Sequence, residues 1–180
     1  MNFNELYNQY KNTVFNLALQ YVQNTEDAEE ITQEVFLSVY EKMNSFRHDS
    51  KISTWIYRIT VNKSLDYIKA RKRGKRVALI TSIFYKESNE PKYEISDFSH
   101  PGILLEQKEA YLRIFKLINT LPENQKTVLI LLKIEGLSQK EVADIMKISN
   151  KAVESLLQRA KNRLKKEIIK KSKDNDKNVV

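Results

Sequence analysis

The sequence predicts an all-α chain: two small helical domains, a helical bundle and a helix-turn-helix, joined by a flexible linker. Three observations predict it. Only three Gly and three Pro occur in 180 residues, and β-branched alternation is scarce, a composition that favours helices over sheets. Apolar residues recur at three- and four-residue spacing in two separate blocks. Between them, from Val77 to Pro101, that period dissolves.

Composition also excludes function classes. There is no cysteine, so disulfides, thiol catalysis and Cys-ligated zinc are ruled out. The start, "MNFNELYNQY", lacks a basic patch followed by an apolar run, so no secretory signal is expected. The longest aliphatic run, Val128–Leu132, is too short to span a bilayer. A cytoplasmic protein without a membrane span is expected. The formal net charge is +8 and is unevenly placed: residues 1–70 carry −2, residues 71–76 ("RKRGKR") +5, residues 77–108 −2 and residues 109–180 +7. A solvated Lys-rich surface could give the same sum, but concentration at one junction and in the C-terminal third points to a polyanionic partner.

The first helix is expected from about Phe3 to Gln23, with Leu6, Tyr10, Val14, Leu17, Ala18 and Tyr21 recurring on one side. "QNTEDAEE" supplies capping residues and first-turn acids for the second helix, which carries Ile31, Val35, Val39 and Met43 on one face and runs to about Asn44. The loop "SFRHDSKIS" leads to a third helix from about Thr54 to Arg73. "ITSIFYKESNEPKYEISDFSHPG" mixes Ser, Asn, Pro and acids without a helical period and reads as an extended or disordered spacer. The fourth helix spans about Leu104–Asn119, and Pro122 opens a fifth that ends near Gly136, since proline suits a first helical turn. Ser138 and Glu141 form a capping box before "VADIM". Ser149 caps a last helix to about Lys171, and "SKDNDKNVV" is expected to fray. The domain boundaries that follow are 1–76, a linker over 77–103, a second domain over 104–171 and a disordered tail over 172–180.

Two short-spaced helices, the second of them long, make a helix-turn-helix, whose second helix fits the major groove while the first braces it across the backbone. At 100° per residue Val153, Leu157, Ala160, Leu164 and Ile168 fall together towards the core. Lys151, Ser155, Gln158, Arg159, Asn162 and Lys166 fall on another side, all hydrogen-bonding or cationic, as groove and phosphate contact require. An ordinary amphipathic helix also has a polar face; the short partner helix, the two caps and the local basic excess decide for DNA.

The third helix separates in the same way. Ile56, Ile59, Thr60 and Tyr67 group towards a core, and Trp55, Arg58, Asn62, Asp66 and Lys69 form an opposite stripe. Such a stripe suits single-stranded DNA: the indole stacks on a base, Asn addresses base edges, and cations hold phosphates. Arg71 and Arg73, in the basic run, extend the electrostatic track. A partly buried Trp55 with solvated neighbours is the other reading of the same stripe.

Two blocks carry a resemblance to a known family. "LPENQKTVLILLKIEGLSQKEVADIMKISNKAVESLLQRAKNRLKK" resembles the sigma-four domain of bacterial RNA polymerase sigma factors, especially the extracytoplasmic-function (ECF) class, through Leu121, Pro122, Gly136, Ser138, Glu141, Ala143, Ser149, Val153, Ser155, Arg159 and Ala160. It departs from the common pattern at Lys147, where glycine is frequent and a left-handed conformation is therefore expected, at Glu154, where a cation is frequent, and at Leu156, where an arginine is frequent. Asp27 to Arg73 resembles the sigma-two domain, through Asp27, Ala28, Gln33, Glu34, Phe36, Phe46, Arg47, Thr54, Trp55, Tyr57, Arg58, Ile59 and Asn62.

The resemblance implies a sigma factor that directs core RNA polymerase to promoter DNA. It implies that the second helix binds the polymerase β′ clamp coiled coil through Asp27, Glu30, Gln33, Glu34 and Leu37, and that the second domain meets the β flap. Trp55, Arg58, Asn62, Asp66, Lys69, Arg71 and Arg73 would bind the melted minus-ten element, with the loop Phe46–Ser53 helping to trap a flipped base. Lys151, Ser155, Gln158, Arg159 and Asn162 would read the minus-thirty-five element. The linker would thread towards the RNA exit path, and an anti-sigma factor is a usual partner.

Rival classes fare worse. His48 and His100 lie far apart with no nucleophile or metal constellation, so no catalysis and no cofactor are expected. Asp27, Glu30 and Glu34 share a helix face, but acids at a helix N-terminus account for them without a metal. An ordinary helix-turn-helix regulator, such as the LuxR type, would need a sensor domain that residues 1–75 do not offer. A protein-binding adaptor would not need "RKRGKR" or the polar stripe.

Overall fold

The computed structural model describes residues 2–46, 50–84 and 105–177, with side chains over 2–46, 50–74 and 112–170. Among these residues all regular structure is helical. The chain forms two compact units, Met1–His100 and Pro101–Val180.

In the first unit α1 (Phe3–Val22), α2 (Thr25–Lys42) and α3 (Ile52–Phe84) pack against one another. Local chemistry sets their starts. Asn2 closes a capping box with Glu5, and the Asn24 side chain accepts the Asp27 N–H at 2.7 Å, so each satisfies an otherwise orphaned first-turn donor. Gln23 ends α1 in the left-handed conformation, φ 55°, ψ 33°, which turns the chain within two residues into α2. The core is Leu6, Val14, Leu17, Ala18 and Tyr21 of α1, Ala28, Ile31, Val35, Phe36 and Val39 of α2, and Ile56 and Val61 of α3. Each Val, Leu, Ile or Phe among them contributes about 1.5–3 kcal/mol by leaving water. The buried Thr60 hydroxyl donates to the Ile56 carbonyl at 2.9 Å, so its polarity costs little. After Lys42 a single 3-10 turn, Met43–Ser45, ends the second helical segment.

The third helix departs from expectation at both ends. It begins at Ile52, so Ser53 is helical and not part of the loop. It also continues through Gly74 to Phe84, so residues 77–84 of the expected linker are helix. No proline lies between Ile52 and Phe84, and a single glycine costs only about 1 kcal/mol in a helix, so loss of apolar periodicity does not end the helix.

In the second unit α4 (Leu105–Ile118), α5 (Glu123–Leu129), α6 (Gln139–Met146) and α7 (Asn150–Lys177) surround Phe115, Ile118, Leu121, Val128, Ile130, Leu131, Val142, Ile145, Val153 and Ala160. Pro122 stands at the N-cap, one position earlier than expected, and its carbonyl accepts the Lys126 N–H at 2.9 Å. From Ile130 to Ile134 the α5 segment widens to a π-helical stretch, with Glu135 N–H donating to the Ile130 carbonyl at 3.0 Å. Six consecutive residues, Lys126 to Leu131, are buried there, so this segment is enclosed on every side. Gly136, φ 67°, then reverses the chain, a conformation glycine adopts without the Cβ penalty.

The capping box between Ser138 and Glu141 is closed in both directions, and Ser149 Oγ accepts the Ala152 N–H at 3.2 Å. Lys147 adopts the expected left-handed conformation, φ 55°, ψ 46°. Two corrections concern α7. It runs to Lys177, so residues 172–177 of the expected disordered tail are helical; no Gly or Pro follows Gly136 to stop them. Ile168 is 50% exposed instead of facing the core, because α7 extends past the shorter helices that bury Val153 and Ala160. Arg47, His48, residues 85–104 and residues 178–180 lie outside the described residues.

Candidate nucleic-acid interfaces

On α3 the polar stripe is present as a surface. Trp55 and Arg58 are half-buried, and Asn62, Asp66, Lys69 and Arg73 are exposed. The Trp55 indole is held by Phe46, ring centroids 5.1 Å apart at 41°, so its orientation is fixed by the first residue of the loop. Both readings of Trp55 are partly met: it packs on one side and keeps accessible surface. Further along, Asp66, Lys69, Lys72 and Arg73 line a shallow, open depression. Lys72 was not among the expected site residues; its three-residue spacing from Lys69 within the basic run was the available signal.

Arg71 does not join this surface. At 100° per residue it sits about 180° from the middle of the stripe, and its guanidinium donates to Asp27 Oδ2 on α2. The Tyr67 hydroxyl donates to Asp27 Oδ1 at 2.7 Å. Burial, the Asp27 hydrogen bond, and the charges of Asp27 and Glu30 push the Tyr67 hydroxyl well above its ordinary pKa, so it remains a donor at all physiological pH.

The α2 face divides accordingly. Asp27 is tied to α3, and Glu34 pairs with Lys63 at 2.6 Å. Glu30 and Gln33 are exposed, as are Leu37 (55%) and Tyr40 (62%). Tyr40 stacks edge-on against Phe3 at 5.3 Å, and Tyr7 against Phe36 at 4.8 Å. An aromatic cluster thus borders the exposed Leu37, and sequence reasoning missed Tyr7 and Tyr40 because their clustering requires α1 and α2 together. Among the described residues no group of His, Cys, Asp or Glu is arranged to hold a metal, and no helix is long and apolar enough to cross a membrane.

In the second unit α6 and α7 form the helix-turn-helix. The Gln139 side chain donates to the Asn150 carbonyl at 2.8 Å, which fastens the start of α6 to the start of α7. Lys151, Ser155, Gln158, Arg159 and Asn162 are all exposed, opposite buried Val153 and Ala160. Gln158 and Asn162 are paired through their side-chain amides at 3.3 Å, which limits their rotamers before any ligand arrives. Glu154 is exposed one turn ahead of Gln158.

Residues 6–74 match the family model described as Sigma-70 region 2, and residues 111–164 match Sigma-70, region 4. The chain is 33% identical over 159 residues to the ECF RNA polymerase sigma-E factor of Escherichia coli strain K12, covering 88% of this chain and 82% of that protein. It belongs to the ECF sigma factors. A second relative, the RNA polymerase sigma-H factor of Pseudomonas aeruginosa, is 29% identical over 164 residues, covering 91% of this chain and 84% of the relative. Among solved structures, the sigma factor RpoE of Bartonella quintana in complex with the anti-sigma factor NepR aligns with a TM-score of 0.64 at 24% identity, over 91% of this chain and 94% of that one. CnrH, in complex with the cytosolic domain of CnrY, aligns with a TM-score of 0.64 at 20% identity, over 92% and 86%. These two likenesses speak for the fold. As an ECF sigma factor the chain directs core RNA polymerase to specific promoters and serves in the initiation of transcription. Nothing in the comparisons favours the ordinary-regulator alternative.

Proposed function

We propose that this ECF sigma factor divides promoter recognition between the α3 stripe and the exposed face of α7. The first unit, residues 1–76 in its functional extent, captures the melted minus-ten strand: Trp55 stacks on a base, Asn62 hydrogen-bonds a base edge, and Arg58, Lys69, Lys72 and Arg73 hold phosphates. Flipping a base costs a few kcal/mol, which stacking and edge hydrogen bonds repay. The observation that carries this reading is the Phe46-braced Trp55 on one continuous stripe with Asn62 and the basic depression.

The second unit, residues 104–171, reads the minus-thirty-five duplex through Lys151, Ser155, Gln158, Arg159 and Asn162, supported by their common exposure on a capped recognition helix. Core polymerase docks on the outer face of α2, where Glu30, Gln33 and Leu37 stand beside Tyr40, and Glu34 lies at the edge. The β′ clamp coiled coil is the partner for this face and the β flap for the second unit. Residues 85–103 connect the units along the polymerase, towards the RNA exit path. An anti-sigma factor covers the same exposed apolar surface when the chain is idle; support comes from the solved sigma factor captured with an anti-sigma factor and from the exposure of Leu37 and Tyr40. The chain works in the cytoplasm and lends the polymerase specificity without catalysis of its own.

The test is Asn62→Ala assayed at two stages. Binding to core polymerase and to minus-thirty-five duplex should stay within about twofold, while permanganate reactivity of minus-ten thymines falls by tenfold or more, the value of one good base contact at about 1–3 kcal/mol. Wild-type melting by this variant would remove the base-pocket assignment.

A further inference from the structure

Asp27, Tyr67 and Arg71 join α2 to α3 through side-chain hydrogen bonds. Both oxygens of the Asp27 carboxylate are engaged, Oδ1 by the Tyr67 hydroxyl at 2.7 Å and Oδ2 by Arg71. The Asp27 side chain is only 16% exposed, whereas Arg71 is 51% exposed. A second link, Glu34 to Lys63 at 2.6 Å, lies seven residues later on α2 and four residues before Tyr67 on α3. The two helices are therefore antiparallel, with acids on α2 facing donors on α3.

The apolar anchoring of α3 thins towards the staple. Among the described side chains Ser64 is the last that is fully buried, and residues 65–74 are half-buried or exposed. Yet this segment carries Asp66, Lys69, Lys72 and Arg73, the walls of the basic depression. Leu65 and Ile68 of this segment are only half-buried, so packing holds its rotation about its own axis less firmly than it holds the stretch from Ile56 to Ser64. Tyr67 and Arg71 are one turn apart on the side opposite the depression, and the same carboxylate holds both. Rotation of the segment in either direction would break one of these bonds.

We propose that Asp27 is a positioning residue for promoter melting: by holding Tyr67 and Arg71 it sets the direction in which the distal half of the α3 stripe faces the minus-ten strand. The inference rests on the assignment of that stripe to single-stranded DNA, and it moves Asp27 out of the polymerase contact and Arg71 out of the direct DNA contact. Arg71 serves DNA through its grip on Asp27, while Lys69, Lys72 and Arg73 meet the phosphates.

The test uses the full chain with core polymerase and three separate readouts: core affinity, minus-thirty-five duplex affinity, and affinity of the assembled holoenzyme for a single-stranded minus-ten oligonucleotide. Asp27→Asn should reduce the third by about tenfold, the effect of one charge-assisted hydrogen bond, with the first two within twofold. Arg71→Ala should reduce it similarly in the wild-type background and hardly at all in the Asp27→Asn background, because its partner is already gone. The exchanged pair Asp27→Arg with Arg71→Asp should recover at least part of the loss. A tenfold loss of core affinity in Asp27→Asn would overturn the proposal, returning Asp27 to the polymerase surface. An Arg71→Ala loss that is undiminished in the Asp27→Asn background would also overturn it, since Arg71 would then touch DNA itself. Failure of the stripe assignment is distinguishable: Asn62→Ala would then bind the oligonucleotide as wild type does, whatever the staple variants do.

Discussion

Lys147→Gly should stabilise the helix-turn-helix, and its size can be worked from the backbone. Lys147 ends α6 at φ 55°, ψ 46°, and the next residue, Ile148, returns its N–H to the Ala143 carbonyl at 3.1 Å. A left-handed residue followed by this six-to-one bond is the helix ending that glycine serves best. A side-chain-bearing residue there costs about 1–2 kcal/mol, while glycine adds about 0.4–1 kcal/mol of unfolded-chain entropy. The Lys147 side chain is exposed, so its removal forfeits little packing. The difference is a gain of about 0.5–1 kcal/mol. Because the chain has two compact units, a single melting curve would mix them. Amide hydrogen exchange resolves them: protection of α6 and the first turns of α7 should rise about two- to fivefold, and that of α1 to α3 should not change. Lys147→Ala keeps the penalty and should leave exchange unaltered. Faster exchange in Lys147→Gly than in Lys147→Ala would refute the reasoning, since it would mean that entropy outweighs the relieved strain.

Other expectations follow from the same surfaces. Ser138→Ala removes a closed capping box and should lower the opening free energy of α6 by about 1 kcal/mol, read by the same exchange experiment. Arg159→Ala should weaken minus-thirty-five duplex binding by about 1–3 kcal/mol with core affinity unchanged, measured by fluorescence anisotropy with holoenzyme. Glu154→Gln removes an exposed carboxylate from the recognition helix; duplex affinity for unrelated sequences should rise at low salt, in a titration against ionic strength, because an acid facing phosphates is repelled.

What could be read in the sequence was mostly local. Caps at Asn24, Ser138 and Ser149 bond within three or four residues, so residue type and spacing were enough to find them. The left-handed turn at Lys147 was legible for the same reason. Faces of helices were legible too: buried Val153 and Ala160 and the exposed row from Lys151 to Asn162 obey one rotation per residue. The C-terminal ends of α3 and α7 were not. Periodicity reports where packing partners stop, whereas a helix runs on until the backbone meets a reason to change, and no proline or glycine stands between Lys75 and Phe84 or between Ser172 and Lys177. Ile168 shows the converse, a residue in phase with the core beyond the reach of its partners. The π-helical widening at Ile130 left no trace in "VLILLKI", where five consecutive apolar residues hide any period. Arg71 was unreadable for a different reason. A basic run looks like one electrostatic track when written as a line, but winding it on a helix turns Arg71 towards an acid 44 residues away, and only the tertiary fold supplies that acid.

Transcription in vitro on pooled genomic DNA, with bacterial core polymerase in the presence and absence of this protein, decides whether the chain acts as a sigma subunit through these two faces. New start sites that appear only with the protein, sharing two upstream elements, are the predicted result; they would lose the upstream element's influence in Arg159→Ala and fail to melt in Asn62→Ala. Binding to duplex DNA without binding to core, and with no new start sites, would contradict the account.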